Sequence, residues 1–335
     1  MTNLQVAVIE WSADENGNDL IRQYRQLNYL ADNLYNDYEP TKYDYPEYKF
    51  RLTNWLDNIN DDELKKKLFK LAAKVFYINQ EGISSLNRTA YLSIIKRWIF
   101  EESNLKCDDP NLQIKLEEHL KAVWYTSLSD SMRINSFYKV NSLSSSHEIK
   151  ADWRSTKAMS NSNTGQTHRG DIENWRNYVQ QRKVKYIVVL EDFVGTGKQS
   201  KPIIKSITET FPENRILFVP LLICQKGLSE LKSLEETSLN LKIKPVIVLP
   251  SAAFISWHEK NEDINQPSEI EKLQTELIDK VTEGLSEKKR NKLKKFNLGS
   301  LVVMYTNTPN NTSPLIHVNT DKWKGLFPRK NRSDI

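Results

Sequence analysis

The chain has 335 residues, of which 39% are hydrophobic and 27% charged, and its formal net charge is +5. This length is too great for one small domain and predicts two, while the composition is ordinary for a soluble globular protein and excludes a disordered chain. The net charge alone is too small to indicate nucleic-acid binding.

Cysteine content and the pattern of apolar runs indicate the compartment. The two cysteines, Cys107 and Cys224, cannot build a disulfide framework or a zinc site. The start, Met1-Thr2-Asn3-Leu4, is not that of a signal peptide, and no apolar run approaches the length of a membrane span. We therefore expect a cytoplasmic protein.

Residues 1–108 are predicted to be helical, because apolar residues recur at helical spacing over 20–34, 64–75 and 91–99. Residues 38–48 carry two prolines and four tyrosines. Exposed tyrosines could mark a contact surface, but packing in a core is the commoner role of such residues. We interpret residues 1–108 as a helical accessory domain in front of an α/β domain over 109–335.

The α/β domain is predicted to begin with a helix and a strand. Asp109-Pro110 suits the N-cap and first turn of a helix that apolar residues continue to Trp124. Residues 124–133, Trp-Tyr-Thr-Ser-Leu-Ser-Asp-Ser-Met-Arg, predict a strand that ends in a polar loop. Residues 147–168 are then polar, so we expect little of this segment to be buried and predict that it is mobile.

The centre of the chain combines a buried strand, two acids and a glycine turn. The apolar run 186–190 predicts a strand covered on both faces of a parallel sheet, and Glu191-Asp192 follow it. Gly195-Thr196-Gly197 come next, and Pro202 suits the first turn of a following helix. Open α/β sheets bind ligands at the carboxyl ends of their strands, and a helix N-terminus offers N–H groups to an anion. The sequence therefore predicts a phosphate-binding loop with two acids beside it, although the acids could instead only end the strand and cap the helix.

Two common phosphate-binding motifs do not fit this loop. A P-loop requires glycine where the chain has Asp192, and serine or threonine where it has Gln199. The dinucleotide motif Gly-x-Gly-x-x-Gly requires a third glycine where the chain has Ser200. The loop is therefore of another kind.

Further strands are predicted over 216–224, 246–249 and 301–305, with helical patterns between them. Strands that alternate with helices predict a parallel sheet with helices on both faces. Pro220 indicates that its strand is an edge strand or carries a bulge.

Two polar segments near the end of the chain have two interpretations each. Residues 286–296 include six Lys or Arg residues, which form a solvated helix face or, less commonly, a nucleic-acid contact. The last predicted strand runs into 306–314, where side-chain amides could read a base edge or a sugar hydroxyl, or only form turns.

The central stretch resembles the binding motif of type I phosphoribosyltransferases, with four apolar residues, two acids, two more apolar residues and a Thr-Gly loop. Only the last position departs, because Gln199 stands before Ser200. Together with Asn-Thr-Pro-Asn-Asn at 307–311 and Leu-Phe-Pro-Arg at 326–329, the motif resembles the phosphoribosyltransferase-like proteins of prokaryotic anti-phage systems. Some of these are encoded beside retron reverse transcriptases. The resemblance covers roughly residues 110–330.

The resemblance implies a type I phosphoribosyltransferase-like α/β fold with an all-α domain before it, and a role for each part of the central motif. The catalytic Glu191 and Asp192 would face the ribose hydroxyls of phosphoribosyl pyrophosphate and favour positive charge on the sugar. A Mg²⁺ ion on the diphosphate would neutralise the leaving group, with Asp192 as a weak protein contact. The 5′-phosphate would lie in the loop formed by Val194, Gly195, Thr196, Gly197, Lys198, Gln199 and Ser200.

Three further sets of residues follow from the same resemblance. A pyrophosphate-binding loop after the early strand would use Ser127, Ser129, Ser131 and Arg133, unless this is a plain polar loop. The polar segment 147–168 would be a hood that closes over the substrate, with Arg154, Lys157 and Arg169 as its cations, unless it is an ordinary surface loop. Acceptor or base contacts would come from Asn307, Asn310 and Asn311.

Two functions are consistent with these residues. The first is a toxic effector enzyme that binds a ribose phosphate with Mg²⁺, transfers or hydrolyses it at C1, and arrests the growth of an infected cell. The second is a catalytically inactive fold that senses a ribose phosphate and regulates a nucleic-acid or protein partner. The resemblance implies a retron reverse transcriptase with its RNA–DNA product, or a companion DNA-binding protein, as the partner.

Overall fold

The computed structural model describes residues 3–13, 17–41, 47–144, 149, 151, 153, 166–249, 269–296 and 299–330. Its helices are α1 (Asn3–Trp11), α2 (Gly17–Asn33), α3 (Tyr48–Leu56), α4 (Asp62–Ala72), α5 (Gln80–Thr89), α6 (Lys96–Glu102), α7 (Leu112–Lys121), α8 (Ile134–Val140), α9 (Gln166–Gln181), α10 (Ser200–Thr210), α11 (Gln225–Thr237), α12 (Glu269–Val281), α13 (Glu287–Phe296) and α14 (Pro314–His317). Its strands are β1 (Phe76–Ile78), β2 (Val123–Ser127), β3 (Tyr186–Val194), β4 (Arg215–Cys224), β5 (Leu241–Ile243), β6 (Ile247–Leu249) and β7 (Val302–Met304). No helix in these ranges is both long and apolar enough to span a membrane.

The chain packs as two compact units. Residues 83–249 form one, called the sheet unit below, and residues 1–82 with 250–335 form the other, called the split unit. Residues 83–108 belong to the sheet unit because their apolar side chains, including Tyr91 and Trp98, are buried in a core against the sheet. The predicted division into domains 1–108 and 109–335 stays a prediction.

The sheet unit is built on five parallel strands in the order β2-β3-β4-β5, with β6 also paired to β4. Successive residues of a strand point to opposite faces, so Ile187 and Val189 enter one core while Val188 and Leu190 enter another. Helices α9, α10 and α11 cover the first face, and α5, α6 and α8 cover the second. The predicted fold class, a parallel sheet with helices on both faces after a helical N-terminal region, is confirmed.

Pro220 lies inside β4, which has neighbours on both sides, so the predicted edge position is wrong. β5 pairs with the first half of β4, at 216–218, and β6 pairs with its last three residues, at 222–224. Pro220 falls between these two short strands, at a position where neither requires an N–H donor. Its carbonyl accepts a hydrogen bond from the Val246 N–H at 3.0 Å.

β7 does not join the five-stranded sheet, so the expectation that 301–305 extends that sheet is wrong. It pairs in parallel with β1, with Val302 opposite Phe76 and Met304 opposite Ile78. A strand-forming pattern identifies an extended segment but not its partner, and here the partner lies near the other end of the chain.

An aromatic cluster fills the split unit. The rings of Tyr35, Tyr38, Tyr48 and Tyr77 lie 5.2–5.5 Å from the ring of Phe327. The buried Arg51 guanidinium lies 5.6 Å from the Phe327 ring and donates to the Leu326 carbonyl at 3.1 Å. Tyr38 and Tyr48 are therefore core residues, and the Leu-Phe-Pro-Arg segment contributes the centre of this core.

His317 is buried in the split unit near Arg329. Burial, with the nearby Arg329 cation, lowers the pKa of its imidazole from 6.5 to about 4. The unfolded chain therefore binds more protons than the folded one within this window, and His317 stabilises the fold fully only above pH 6.5. We expect this stabilisation, about 3 kcal/mol in the free energy of unfolding, to be lost as the pH falls toward 4.

Denaturant unfolding of the wild type and of His317→Gln across this pH range measures the effect. The variant has no imidazole to protonate, so its free energy of unfolding should depend less steeply on pH. Identical pH dependence in the two proteins would contradict the assignment.

Candidate functional site

Glu191 and Asp192 lie within the last residues of β3, which continues to Val194 rather than ending before the acids. Their side chains are only 3% and 7% exposed. The Asp192 Oδ1 atom accepts a hydrogen bond from the Phe193 N–H at 2.8 Å. Two adjacent carboxylates are thus held at the carboxyl end of an internal strand, where α/β proteins bind ligands.

The turn after β2 supplies hydroxyl groups to both acids. The Ser129 hydroxyl is buried and lies 2.9 Å from both carboxylate oxygens of Glu191 and 2.7 Å from the Ser131 hydroxyl. Ser131 donates to Asp192 Oδ1 at 3.0 Å. These contacts follow from the parallel pairing of β2 with β3, which ends both strands at the same edge of the sheet. The structure therefore joins two predicted groups, the polar loop and the acid pair, into one cluster.

The other two loop candidates occupy different positions. Ser127 is the last residue of β2 and stands opposite Leu190 of β3. Arg133 is exposed and adopts a left-handed backbone, with φ 47°, directly before α8. A contact of these residues with pyrophosphate stays a prediction.

The predicted phosphate loop, Val194–Ser200, connects β3 to the N-terminus of α10. Gly197 has φ +75°, which glycine adopts without strain, and its carbonyl accepts from the Lys201 N–H at 2.8 Å. The side chains of Lys198 and Gln199 are exposed, whereas Ser200 is buried. The Thr196 hydroxyl accepts a long hydrogen bond, 3.4 Å, from the Lys198 N–H. The loop thus presents backbone groups and a basic side chain at the same edge as the acids.

Gly227, which the sequence analysis did not single out, packs against this loop. It lies in the first turn of α11, and a Cβ atom there would be 2.3 Å from the Gly195 carbonyl oxygen. A Cβ atom at Gly197 would likewise be 3.1 Å from the Gly227 carbonyl oxygen. The Lys201–Glu230 salt bridge, 2.8 Å, also joins α10 to α11. A glycine shortly after the strand that follows the motif was the available sequence signal.

The substitution Gly227→Ala should displace the phosphate loop. Its Cβ atom meets backbone, which cannot turn aside, and overpacking of this kind costs about 1–3 kcal/mol. If this cost falls on binding, the affinity for the predicted ligand, phosphoribosyl pyrophosphate, drops roughly tenfold or more. Calorimetric titration measures the change.

Ser229→Ala is the matched control for this substitution, since Ser229 is exposed on the same helix and hydrogen-bonds only to it in the described residues. Wild-type affinity in a folded Gly227→Ala protein would show that the close packing does not shape the loop.

The predicted hood residues fall mostly outside the described part of the chain. Arg154 and Lys157 lie in its gaps, and Arg169 belongs to α9, where only the backbone is described. Trp153, however, is 4% exposed and its indole N–H donates to the Thr126 hydroxyl at 3.1 Å. The expectation that little of 147–168 is buried is therefore wrong at Trp153, because an indole ring gains more from the core than its polar neighbours lose.

The predicted acceptor residues, Asn307, Asn310 and Asn311, follow β7 and belong to the split unit. The Asn307 amide donates to the Lys330 carbonyl at 2.9 Å and its oxygen accepts from the Thr308 N–H at 3.0 Å. Asn307 therefore serves a turn within the described residues. A contact of the three asparagines with an acceptor stays a prediction.

A cavity of about 550 Å³ opens at the opposite end of the sheet from the acids. Residues at the amino ends of β3 and β4, including Tyr186 and Arg215, line it together with Glu102 and Lys185. Ligands of open parallel sheets bind at the carboxyl ends of the strands. We therefore place the candidate site at the acid pair and not in this cavity.

The parallel sheet, the acids at the end of an internal strand and the glycine turn before a helix define an α/β protein of phosphoribosyltransferase type. The chain belongs to the PRTase-CE family, whose family model matches residues 52–329. The predicted resemblance to a phosphoribosyltransferase-like family is confirmed by this match. No curated protein and no solved structure matches the chain.

Proposed function

We propose that the chain binds phosphoribosyl pyrophosphate or a related ribose phosphate, and that it transfers or hydrolyses the ribosyl group at C1. The observation that carries this proposal is the cluster at the end of β3, where Glu191 and Asp192 are buried, hydrogen-bonded to Ser129 and Ser131, and followed at once by the glycine turn. Membership of a phosphoribosyltransferase-like family supports the same chemistry.

The phosphate loop would bind the 5′-phosphate. Gly195 and Gly197 bring the backbone close without a Cβ atom in the way, and the N-terminus of α10 offers N–H groups to the anion. The Thr196 hydroxyl and the exposed Lys198 side chain add a donor and a positive charge. Binding the phosphate here orients the ribose toward the acid pair.

The acid pair would act on the sugar. As the bond between C1 and the leaving oxygen breaks, positive charge develops on the ribose ring, and preorganised carboxylates favour that charge. Ser129 and Ser131 hold the two carboxylates in place, so no side chain must reorganise as the charge forms. The incoming nucleophile then forms its bond to C1 and gives up its proton.

Mg²⁺ fits this site as a partner of the substrate rather than of the protein alone. Within the described ranges, no three His, Cys, Asp or Glu side chains cluster so as to hold a metal ion. Asp192 offers an oxygen ligand of the kind that Mg²⁺ prefers, and diphosphate oxygens with water would complete its shell. When bound, the ion would neutralise the charge of the leaving diphosphate.

We further propose that the protein is an effector of an anti-phage system that arrests the growth of an infected cell. A retron reverse transcriptase with its RNA–DNA product, or a companion DNA-binding protein, would hold it inactive until infection. The family match and the terminal Asn-Thr-Pro-Asn-Asn and Leu-Phe-Pro-Arg segments support this role.

Calorimetric titration of phosphoribosyl pyrophosphate with Mg²⁺ into the wild type and into Glu191→Gln/Asp192→Asn tests the proposal. We expect binding by the wild type that the double variant loses, and release of pyrophosphate when an acceptor or water is available. Binding without any turnover would favour the inactive sensor. Equal binding by both proteins would refute the site.

A further inference from the structure

We propose that the exposed face of α13, formed by Lys288, Lys289 and Lys292, binds the phosphodiester backbone of a nucleic acid. Helix α13 holds six basic residues and one acidic residue, so it carries as much net positive charge as the whole chain. The rest of the split unit has more acidic than basic residues. The positive charge of this unit is therefore concentrated on one helix.

Helix geometry gathers the three lysines on one side. Lys288 and Lys292 are four residues apart and Lys289 and Lys292 are three apart, which are the spacings of neighbours on a helix surface. All three side chains are exposed, whereas Arg290 and Leu293, on the other side of the helix, are partly buried. The lysine face is thus turned to solvent.

These lysines are not neutralised by the protein. In the part of the chain that the structure describes, none of them forms a salt bridge, and none has an acidic residue three or four positions away. Lysines elsewhere do pair with acids, as in Lys201–Glu230 at 2.8 Å and Lys244–Glu101 at 2.7 Å. A helix face that only needs to be solvated usually carries charges of both signs. A face of one sign is instead suited to a polyanion.

A nucleic acid is the polyanion whose charge spacing fits this face. Its phosphates repeat at intervals of a few ångströms, and four helical residues advance about 6 Å, so successive lysines can reach neighbouring phosphates. Lysine ammonium groups contact phosphates without reading bases, which makes binding independent of sequence and sensitive to salt. The inference uses no property of the ribose-phosphate site.

Fluorescence anisotropy of the full chain with a labelled single-stranded RNA, at several salt concentrations, tests the proposal. We expect wild-type binding that weakens as salt increases. The variant Lys288→Gln/Lys289→Gln/Lys292→Gln should bind roughly tenfold or more weakly. Its slope of log affinity against log salt should be smaller by up to about three, because each lost phosphate contact removes close to one unit.

Lys65→Gln/Lys66→Gln/Lys67→Gln in α4 is the matched control, since it removes the same charge from the same unit, and it should bind like the wild type. No binding by the wild type at low salt would refute the proposal, as would equal losses in both variants, which would mark a net-charge effect. Loss of self-association in the α13 variant with unchanged RNA binding would assign this face to a second copy of the chain. Asp192→Asn should bind RNA normally, so failure of the ribose-phosphate proposal would not affect this test.

Discussion

Asp192→Asn should keep the fold and lose the activity. The Asn oxygen can still accept from the Phe193 N–H and from Ser131, which contact Asp192 Oδ1 at 2.8 and 3.0 Å, so the local structure is retained. The negative charge is lost, and with it the stabilisation of the positive ribose ring. Removal of one such electrostatic group typically lowers turnover by about 100-fold to 1,000-fold. Hydrogen bonds to charged groups contribute about 1.5–3 kcal/mol, so the affinity should fall at least tenfold.

Pyrophosphate release and calorimetric titration with Mg²⁺ and phosphoribosyl pyrophosphate measure these losses, and thermal unfolding checks the fold. Asp279→Asn is the control, because Asp279 is an exposed carboxylate of α12 in the split unit. A stable Asp192→Asn protein with wild-type turnover would exclude Asp192 from the chemistry.

Phe327→Ala should destabilise the split unit strongly. Phe327 is fully buried, four tyrosine rings surround it, and the Arg51 guanidinium lies 5.6 Å from its ring centre. Truncation leaves a large cavity and removes the aromatic contacts, which typically costs about 3–5 kcal/mol in the free energy of unfolding. Urea unfolding followed by near-ultraviolet circular dichroism, which reports on packed tyrosines, measures the loss.

Phe50→Ala provides the comparison for this substitution. Phe50 is 48% exposed in α3, and substitutions at such surface positions usually change stability by about 0.5 kcal/mol or less. Equal stability of the two variants would mean that the Leu-Phe-Pro-Arg segment does not hold this core together.

Local patterns predicted the elements of the sheet well. The apolar runs at 186–190 and 216–224 became β3 and β4, because a strand buried on both faces requires continuous apolar residues. Boundaries were less certain, since α7 begins at Leu112 and Asp109 instead accepts a hydrogen bond from the Asn111 N–H. The pairing of β7 with β1 was beyond reach, because it depends on contacts between the two ends of the chain.

The candidate site was predictable where chemistry and spacing coincide. Glu191, Asp192 and the glycine turn are adjacent in sequence, so a motif could identify them. The Ser129–Glu191 hydrogen bonds join residues on different strands, and they depend on the parallel register of β2 and β3. Gly227 could not be recognised either, since the need for glycine comes from a carbonyl oxygen of a distant loop.

The interleaving of the two units sets the order in which they can be completed during synthesis. Residues 1–82 leave the ribosome first, yet β7 and Phe327, which complete their core, are among the last to be translated. All of the sheet unit emerges in between. Until then the nascent N-terminal segment has an unpaired β1 edge and a ring of tyrosines without their central phenylalanine. Chains released early would expose this surface, so incomplete translation products of this protein should be prime targets for chaperones and proteases.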